Sequence, residues 1–380
     1  SLIHQIIVLG GDGDDQLTLA APESLLPADG VLFLAAAGID EVNVLGTSGD
    51  DVIQFSDGEI VFAATDWPRW IEYTDVEQVD LTSSAGADDV SVFDTAIKLG
   101  GATAWGTDSA LSLGSGTVEV VSDQSFQNLS VLEEEAGTLV VGSGHSATVN
   151  GTLSIETNGT LTKSGSGTLV IAGSQSHASA AALEVDGGTV ELNSNAGTPA
   201  AVGTPAVANL SITVNDGLLK LGADQDVAGL AVIHTNSGRQ SLDLASPAGD
   251  YLYRAMRVYA SDLAAAELSL WASLLNANMA GAPDPLDGIY DSGKSLHTNS
   301  AIGLTDQAVD VAGIQHVFMR LTRLADFNVD GTTNFPDNLI LSQNYNGTYR
   351  TWDQGDCTYD GNTNINDLLK LSQNYNQVFV

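Results

Sequence analysis

One short text recurs through the first two thirds of the chain: GTVEVV at 116, GTLVV at 137, GTLSI at 151, GTLTK at 159, GTLVI at 167 and GGTVEL at 187, with the kindred GLLKL at 217. Apolar and polar residues alternating between glycines are what a half-buried β-strand requires. The threonines of the first six units stand at 117, 138, 152, 160, 168 and 189, in steps of 21, 14, 8, 8 and 21. A chain that coils through about three short strands per turn leaves such steps, so the text predicts a parallel β-solenoid, or β-helix, over residues 1–240. At about 22 residues and about 4.8 Å per turn, that body would hold roughly ten turns in roughly 50 Å. A pair of antiparallel sandwiches also needs many short strands. The recurrence of one unit and the scarcity of proline, 9 residues in 380, favour the coil.

Texture changes after residue 240. Residues 241–325 predict a small mixed α/β module that closes the open end of the strand stack, since an uncovered sheet edge templates aggregation. Its helix is SDLAAAELSLWASLLNANMAG, 261–281, with Ser261 as a cap candidate and an apolar stripe at Leu263, Leu270, Trp271, Leu274 and Leu275. Gly281, Pro283 and Pro285 stop it. Such a stripe is a core face.

The balance of charge narrows the partners. With 48 acids against 12 Lys and Arg the net charge is -36, a surface that repels nucleic acid and anionic lipid and leaves metal cations as natural counter-charge. No apolar run reaches 18 residues, so no membrane span is expected. Cys357 is the only cysteine, which rules out an internal disulfide; at the second position of its loop it is expected to face outward as a free thiol. The opening SLIHQIIVLGG lacks the charged start and cleavage site of a secretion signal, as expected of a mature product or of the C-terminal part of something longer.

The strongest chemical signal is DFNVDGTTNFPD, 326–337. It offers Asp326, Asn328 and Asp330 at positions 1, 3 and 5, Gly331 at the sharp turn, Thr332 through its carbonyl at 7, Asn334 at 9 and Asp337 at 12. These are hard oxygen donors spaced so that one turn of chain wraps a calcium ion. Thirty residues on, DCTYDGNTNIND, 356–367, repeats the set as Asp356, Thr358, Asp360, Gly361, Asn362 through its carbonyl, Asn364 and Asp367. The exits repeat as well, NLILSQNYN at 338–346 and LLKLSQNYN at 368–376, predicting two helices with Leu339, Leu341, Leu369 and Leu371 inward. One such loop arises by chance; two in register with matched exits do not. Two calcium ions are therefore expected. With a dissociation constant of about 10 μM and about 1 mM external calcium, each site would contribute roughly 2.7 kcal/mol, and cytosolic calcium could not fill it.

Three resemblances follow. The stretch GTLTKSGSGTLVIAGSQSHASAAALEVDGGTVELNSNAG, 159–197, resembles the autotransporter-associated β-strand repeat of bacterial surface β-helices. The duplicated loop and helix over 326–376 resembles a dockerin, which carries two such loops as an EF-hand-like pair and ends each on Asp. Where cellulosomal dockerins show small hydroxyl residues just before the final ligand, Phe335, Pro336, Ile365 and Asn366 stand here, so cohesin binding is not implied. Together with LDGIYDSGKSLHTNSAIGLTDQAVD, 286–310, the whole is similar to the C-termini of large secreted proteins of planctomycete-type bacteria. The expected fold class is thus mainly β, a parallel solenoid with a mixed α/β module and, over 326–380, a dockerin-like pair.

Other signals are weaker. GGDGDDQLT, 10–18, fits a calcium nonapeptide, but Asp15, Asp51 and Asp89 are 36 and 38 residues apart, a spacing better suited to tight turns. The strand region holds only Arg69, Lys98, Lys163, Lys220 and Arg239 as cations, too few and too scattered to build a lyase site. Histidines 4, 145, 177, 234, 297 and 316 have no metal spacing. No enzyme is expected. The leading expectation is an extracellular, calcium-stabilised structural protein of the cell surface or matrix, assembling into a filament or layer and gripping copies of itself or a surface protein. The alternative is a carbohydrate-active or glycan-binding scaffold component docked through a cohesin-like partner; only Trp67, Trp70 and Trp105 lie in the strand region to stack on sugar, which favours the first.

Overall fold

The computed structural model describes residues 4–19, 27, 29–47, 49–62, 69–82, 86–100, 108–233, 240–244, 254–278, 288–290 and 299–379. The fold is mainly β with parallel sheets. Its chain contacts gather into two compact units, 1–182 and 183–380. Gly281, Pro283, Pro285, Trp67, Trp105, His234, Arg239 and His297 lie outside the described residues.

In the first unit, short strands form two ladders. One runs Gln16–Leu19, Glu41–Leu45, Gln78–Thr82, Ala96–Gly100, Thr117–Val120, Ala136–Val141 and Thr160–Ser164, every described pairing parallel. The recurring text meets itself there: Thr117 pairs with Thr138, and Leu99, Val120 and Val141 pair in succession, 21 residues apart each time. The other ladder includes Asp89–Val92, Ala110–Leu113, Gln124–Val131, Ser146–Ile155 and Thr168–Ile171, also parallel. Alternate residues point inward, and Val90, Leu111, Leu129 and Leu153 on one ladder, with Val118, Leu139 and Leu161 on the other, are at most 1% exposed. Period-two alternation therefore places one apolar set in the core.

One segment departs from the parallel expectation. Glu59–Phe62 pairs antiparallel with both Val52–Ser56 and Arg69–Thr74. The cause is local: a two-residue Asp57–Gly58 turn, with Gly58 at φ 73°, reverses the chain between Ser56 and Glu59.

Two features fix the spacing of layers. Buried aspartates at the turns accept backbone N–H groups from the preceding layer: Asp15 N donates to Asp40 Oδ1 at 2.8 Å, and Asp51 N to Asp88 Oδ1 at 3.0 Å. Asp15 and Asp51 also close their own turns, accepting from the N–H of Gly11 at 2.7 Å and of Thr47 at 2.6 Å. Glycine is required where layers touch, because a Cβ on Gly173 would lie 1.9 Å from the Gly151 carbonyl oxygen. Gly173→Ala is expected to cost about 1–3 kcal/mol and lower the melting of 1–182 by roughly 2–12 °C; thermal melting that matches the parent would show that the layers are not so closely held.

The second unit holds a parallel ladder of Thr189–Leu192, Gly217–Leu221, Gln240–Asp243 and Gly288–Tyr290. Beside it lies a mixed sheet in which Gln225–Val227 pairs parallel with Ala255–Val258, and Gln315–Arg323 pairs antiparallel with Ala255–Val258 and with Ser300–Val309. Helix α1, Leu263–Asn278, packs on Gly229–Val232, Gly288–Tyr290 and Ser300–Val309. Asp262 rather than Ser261 caps it, accepting from Ala265 N at 3.0 Å. Leu270, Trp271 and Leu274 are buried, whereas Leu263 and Leu275 are half-buried.

Candidate functional site

The acidic loops lie in the second unit and fold onto the same hydrogen-bond frame. In the first, Asp326 Oδ2 accepts from Gly331 N at 2.7 Å and also from the Thr322 hydroxyl, while Oδ1 accepts from Asp330 N at 3.1 Å. Asp337 closes the far end, taking Phe327 N at 2.7 Å on Oδ1 and Asn334 N at 2.7 Å on Oδ2. In the second, Asp356 Oδ2 accepts from Gly361 N at 2.7 Å, and Oδ1 from Asp360 N at 3.3 Å. Asp367 takes Cys357 N at 3.0 Å on Oδ1 and Asn364 N at 2.8 Å on Oδ2. Gly331 and Gly361 make the sharp turns at φ 97° and 76°, conformations costly for a residue bearing Cβ.

Among the intermediate positions the fifth follows the same plan and the third does not. Asp330 Oδ1 accepts from Thr332 N and Asp360 Oδ1 from Asn362 N, both at 2.8 Å. Asn328 Nδ2 donates to Asp330 Oδ2 at 2.9 Å, and Thr358 Oγ1 donates to Asp367 Oδ1 at 3.0 Å. The twelve residues singled out by spacing thus fall in two loops that share the backbone bonds of their first, fifth and last residues.

Each loop leads into a helix, α2 (Phe335–Asn344) and α3 (Ile365–Asn374), and α2 packs on α3. Closure is reciprocal. Thr332–Thr333 of the first loop pairs antiparallel with Gln377–Val378 after α3, and Asn362–Thr363 of the second with Gly347–Thr348 after α2. Each loop is therefore stapled to the exit of the other helix.

Positions 2 and 4 of the loops carry the packing. Phe327, Val329, Cys357 and Tyr359 are all buried. Trp352, fully buried between the loops in sequence, has its ring centroid 6.0 Å from Phe327 and 5.7 Å from Tyr359, and its Nε1 donates to the Asp326 carbonyl at 2.7 Å. Tyr359 stacks on Trp271 of α1 at 5.5 Å and donates its hydroxyl to the Ile302 carbonyl at 2.9 Å. Cys357 thus departs from the outward thiol expected of its position: burial, then Asp367 and Asp356, pushes its pKa up, so it is not placed for a disulfide with another chain. Leu339 and Leu369 also differ from expectation. They are 48% and 52% exposed, because Leu341 and Leu371 take the inward place.

Electrostatically the loops are strained. Asp326, Asp337, Asp356 and Asp367 are fully buried, and among the described residues no lysine or arginine forms an ion pair with any of them. Burial raises Asp326 to about 6 and Asp356 to about 7, and raises Asp337 as well. Buried carboxylates without a counter-charge are costly. A set of carboxylate, amide and carbonyl oxygens suits a hard divalent cation, and zinc or copper would want nitrogen or sulfur.

A second acidic group was not foreseen. Glu267 lies in the apolar face of α1, four residues before Trp271, and its carboxylate gathers with those of Asp306 and Asp353. The spacing of 267 from 263, 270, 271 and 274 could have revealed an acid inside the stripe. Comparison of the chain with family models, with curated proteins and with solved structures gave no match.

Proposed function

We propose that the chain is a secreted structural protein of the bacterial cell surface or extracellular matrix, stabilised by two calcium ions held in a dockerin-like pair of loops. The observation that carries this reading is the frame shared by 326–337 and 356–367, which buries four carboxylates and leaves a cation as their natural counter-charge. Asp326, Asn328, Asp330, Thr332, Asn334 and Asp337 would hold one ion, and Asp356, Thr358, Asp360, Asn362, Asn364 and Asp367 the other. The ions would supply charge compensation and folding energy, not reaction chemistry.

The body is read as a parallel β-solenoid. Its support is the in-register advance of the ladders, such as Leu99 to Val120 to Val141, together with the inward file of aliphatic residues. Solenoids present long, repetitive faces suited to layers and filaments. The aromatic cluster of Phe327, Trp352, Tyr359 and Trp271 lets the loop pair clasp the helix and hairpin next to it. Outward, α2 and α3 and their C-caps expose matched apolar residues thirty positions apart: Phe335 with Ile365, Leu339 with Leu369 and the capping Tyr345 with Tyr375. Such a paired patch on an otherwise acidic chain is suited to a neighbouring subunit or a surface protein.

Electron microscopy of native material in calcium tests the reading. Filaments or a layer containing this chain are the expected result. Monodisperse particles that retain a polysaccharide would overturn it in favour of a glycan-binding scaffold component.

A further inference from the structure

We propose that Glu267, Asp306 and Asp353 form a third divalent-cation site, of the calcium class, separate from the two loops. Three elements of the second unit converge to build it. Glu267 comes from the buried face of α1, Asp306 from the bulge in Ser300–Val309, and Asp353 from the 3-10 helix Trp352–Gln354 that lies between the loops in sequence. The bulge is the reason Asp306 can join, because the register shifts between Thr305 and Ala308 and a bulge re-aims side chains.

One carboxylate oxygen from each residue lies within 4.8 Å of the other two. Calcium holds oxygens at about 2.3–2.6 Å, so two ligands of one ion stand at most about 5 Å apart and one ion can reach all three. The donor set, oxygen only and tri-anionic, selects calcium or magnesium over zinc, and the absence of an imposed octahedron favours calcium.

A second observation points the same way. Glu267 is 7% exposed, and its Oε1 is buried with no hydrogen-bond partner. Burial, and after it the charges of two neighbouring acids, Asp353 and Asp306, pushes it up to about 9. Two hydroxyls already orient Asp353: Thr351 Oγ1 donates to Oδ1 at 2.7 Å and Thr305 Oγ1 to Oδ2 at 3.2 Å. Asp306 and Asp353 are only half-buried, which leaves an open side for ion entry and for water to complete the six to eight ligands calcium takes. An ion here would tie α1 and the hairpin to the segment three residues before Asp356.

The site does not rest on the loops, and calorimetric titration of the full chain with calcium separates the two. The parent is expected to bind three ions, Glu267→Gln two, and Asp326→Ala with Asp356→Ala one. Should Glu267→Gln fail to fold, Asp306→Asn at a half-buried position is expected to lose the third ion or weaken it at least tenfold. If instead the loops hold nothing, the parent binds one ion and Glu267→Gln none, which still supports the third site. Glu267→Gln and Asp306→Asn that titrate with the parent's stoichiometry and affinity would overturn it, leaving a proton as the cluster's only tenant.

Discussion

Trp352→Ala is expected to lower the melting temperature of the 183–380 unit by roughly 8–24 °C, from a loss of about 4–6 kcal/mol spread over about 200 residues. Trp352 is the largest of the fully buried side chains and touches both loops at once. Its removal leaves a cavity between Phe327 and Tyr359 and strips the Asp326 carbonyl of its Nε1 donor. Truncating a buried aromatic costs about 3–5 kcal/mol, and the orphaned carbonyl adds about 1 kcal/mol. Trp352→Phe should recover most of the packing but not the hydrogen bond. Circular dichroism melting checks this, and a Trp352→Ala curve within 2 °C of the parent would mean the aromatic cluster does not hold the loops in place.

The second large effect is the loss of pH dependence in calcium. Asp326 and Asp356 are raised from 3.8 to about 6 and about 7 by burial, so in the ion-free protein the folded state binds these protons more tightly than the unfolded state does. Their protonation stabilises the fold fully below about pH 4, and the benefit is lost as pH rises through 6 and 7. Calcium requires the same groups ionised, so its contribution grows over that interval. Stripped protein should melt at a lower temperature at pH 8 than at pH 5, whereas protein in about 1 mM calcium, its ligands ionised in the bound fold as in the unfolded chain, should lose most of that slope. At pH 8 the two conditions should differ by about 5 kcal/mol, roughly 10–20 °C for a unit of this size. Parallel slopes with and without calcium would contradict the assignment of these carboxylates as ligands.

The repeated loops are more legible in the sequence than the core around them. The loop pattern is set by local covalent spacing, so Asp326, Gly331 and Asp337 and their echoes at 356, 361 and 367 could be read directly, and the four aspartates take the same backbone N–H partners in both loops. Strand text was equally local, and Thr117 and Thr138 meet as paired residues. What escaped depends on partners distant in sequence. Positions 2 and 4 of each loop are buried, and it is packing on Trp352 and Trp271 that makes Phe327 and Tyr359 core. Leu339 and Leu369 share an apolar stripe with Leu341 and Leu371, yet one helix packed on another needs only part of that stripe, which leaves the first pair exposed. The antiparallel strand Glu59–Phe62 was signalled by Asp57–Gly58, a local turn overshadowed by the parallel repeat. Glu267 was hidden because an acid in an apolar helix face has no meaning until Asp306 and Asp353 arrive beside it.

Direct ion counting by equilibrium dialysis, comparing the parent with the Asp326→Ala and Asp356→Ala double variant, tests the central claim. The account predicts that the double variant retains two calcium ions fewer per chain while residues 1–182 stay folded; equal ion counts in parent and variant would contradict it.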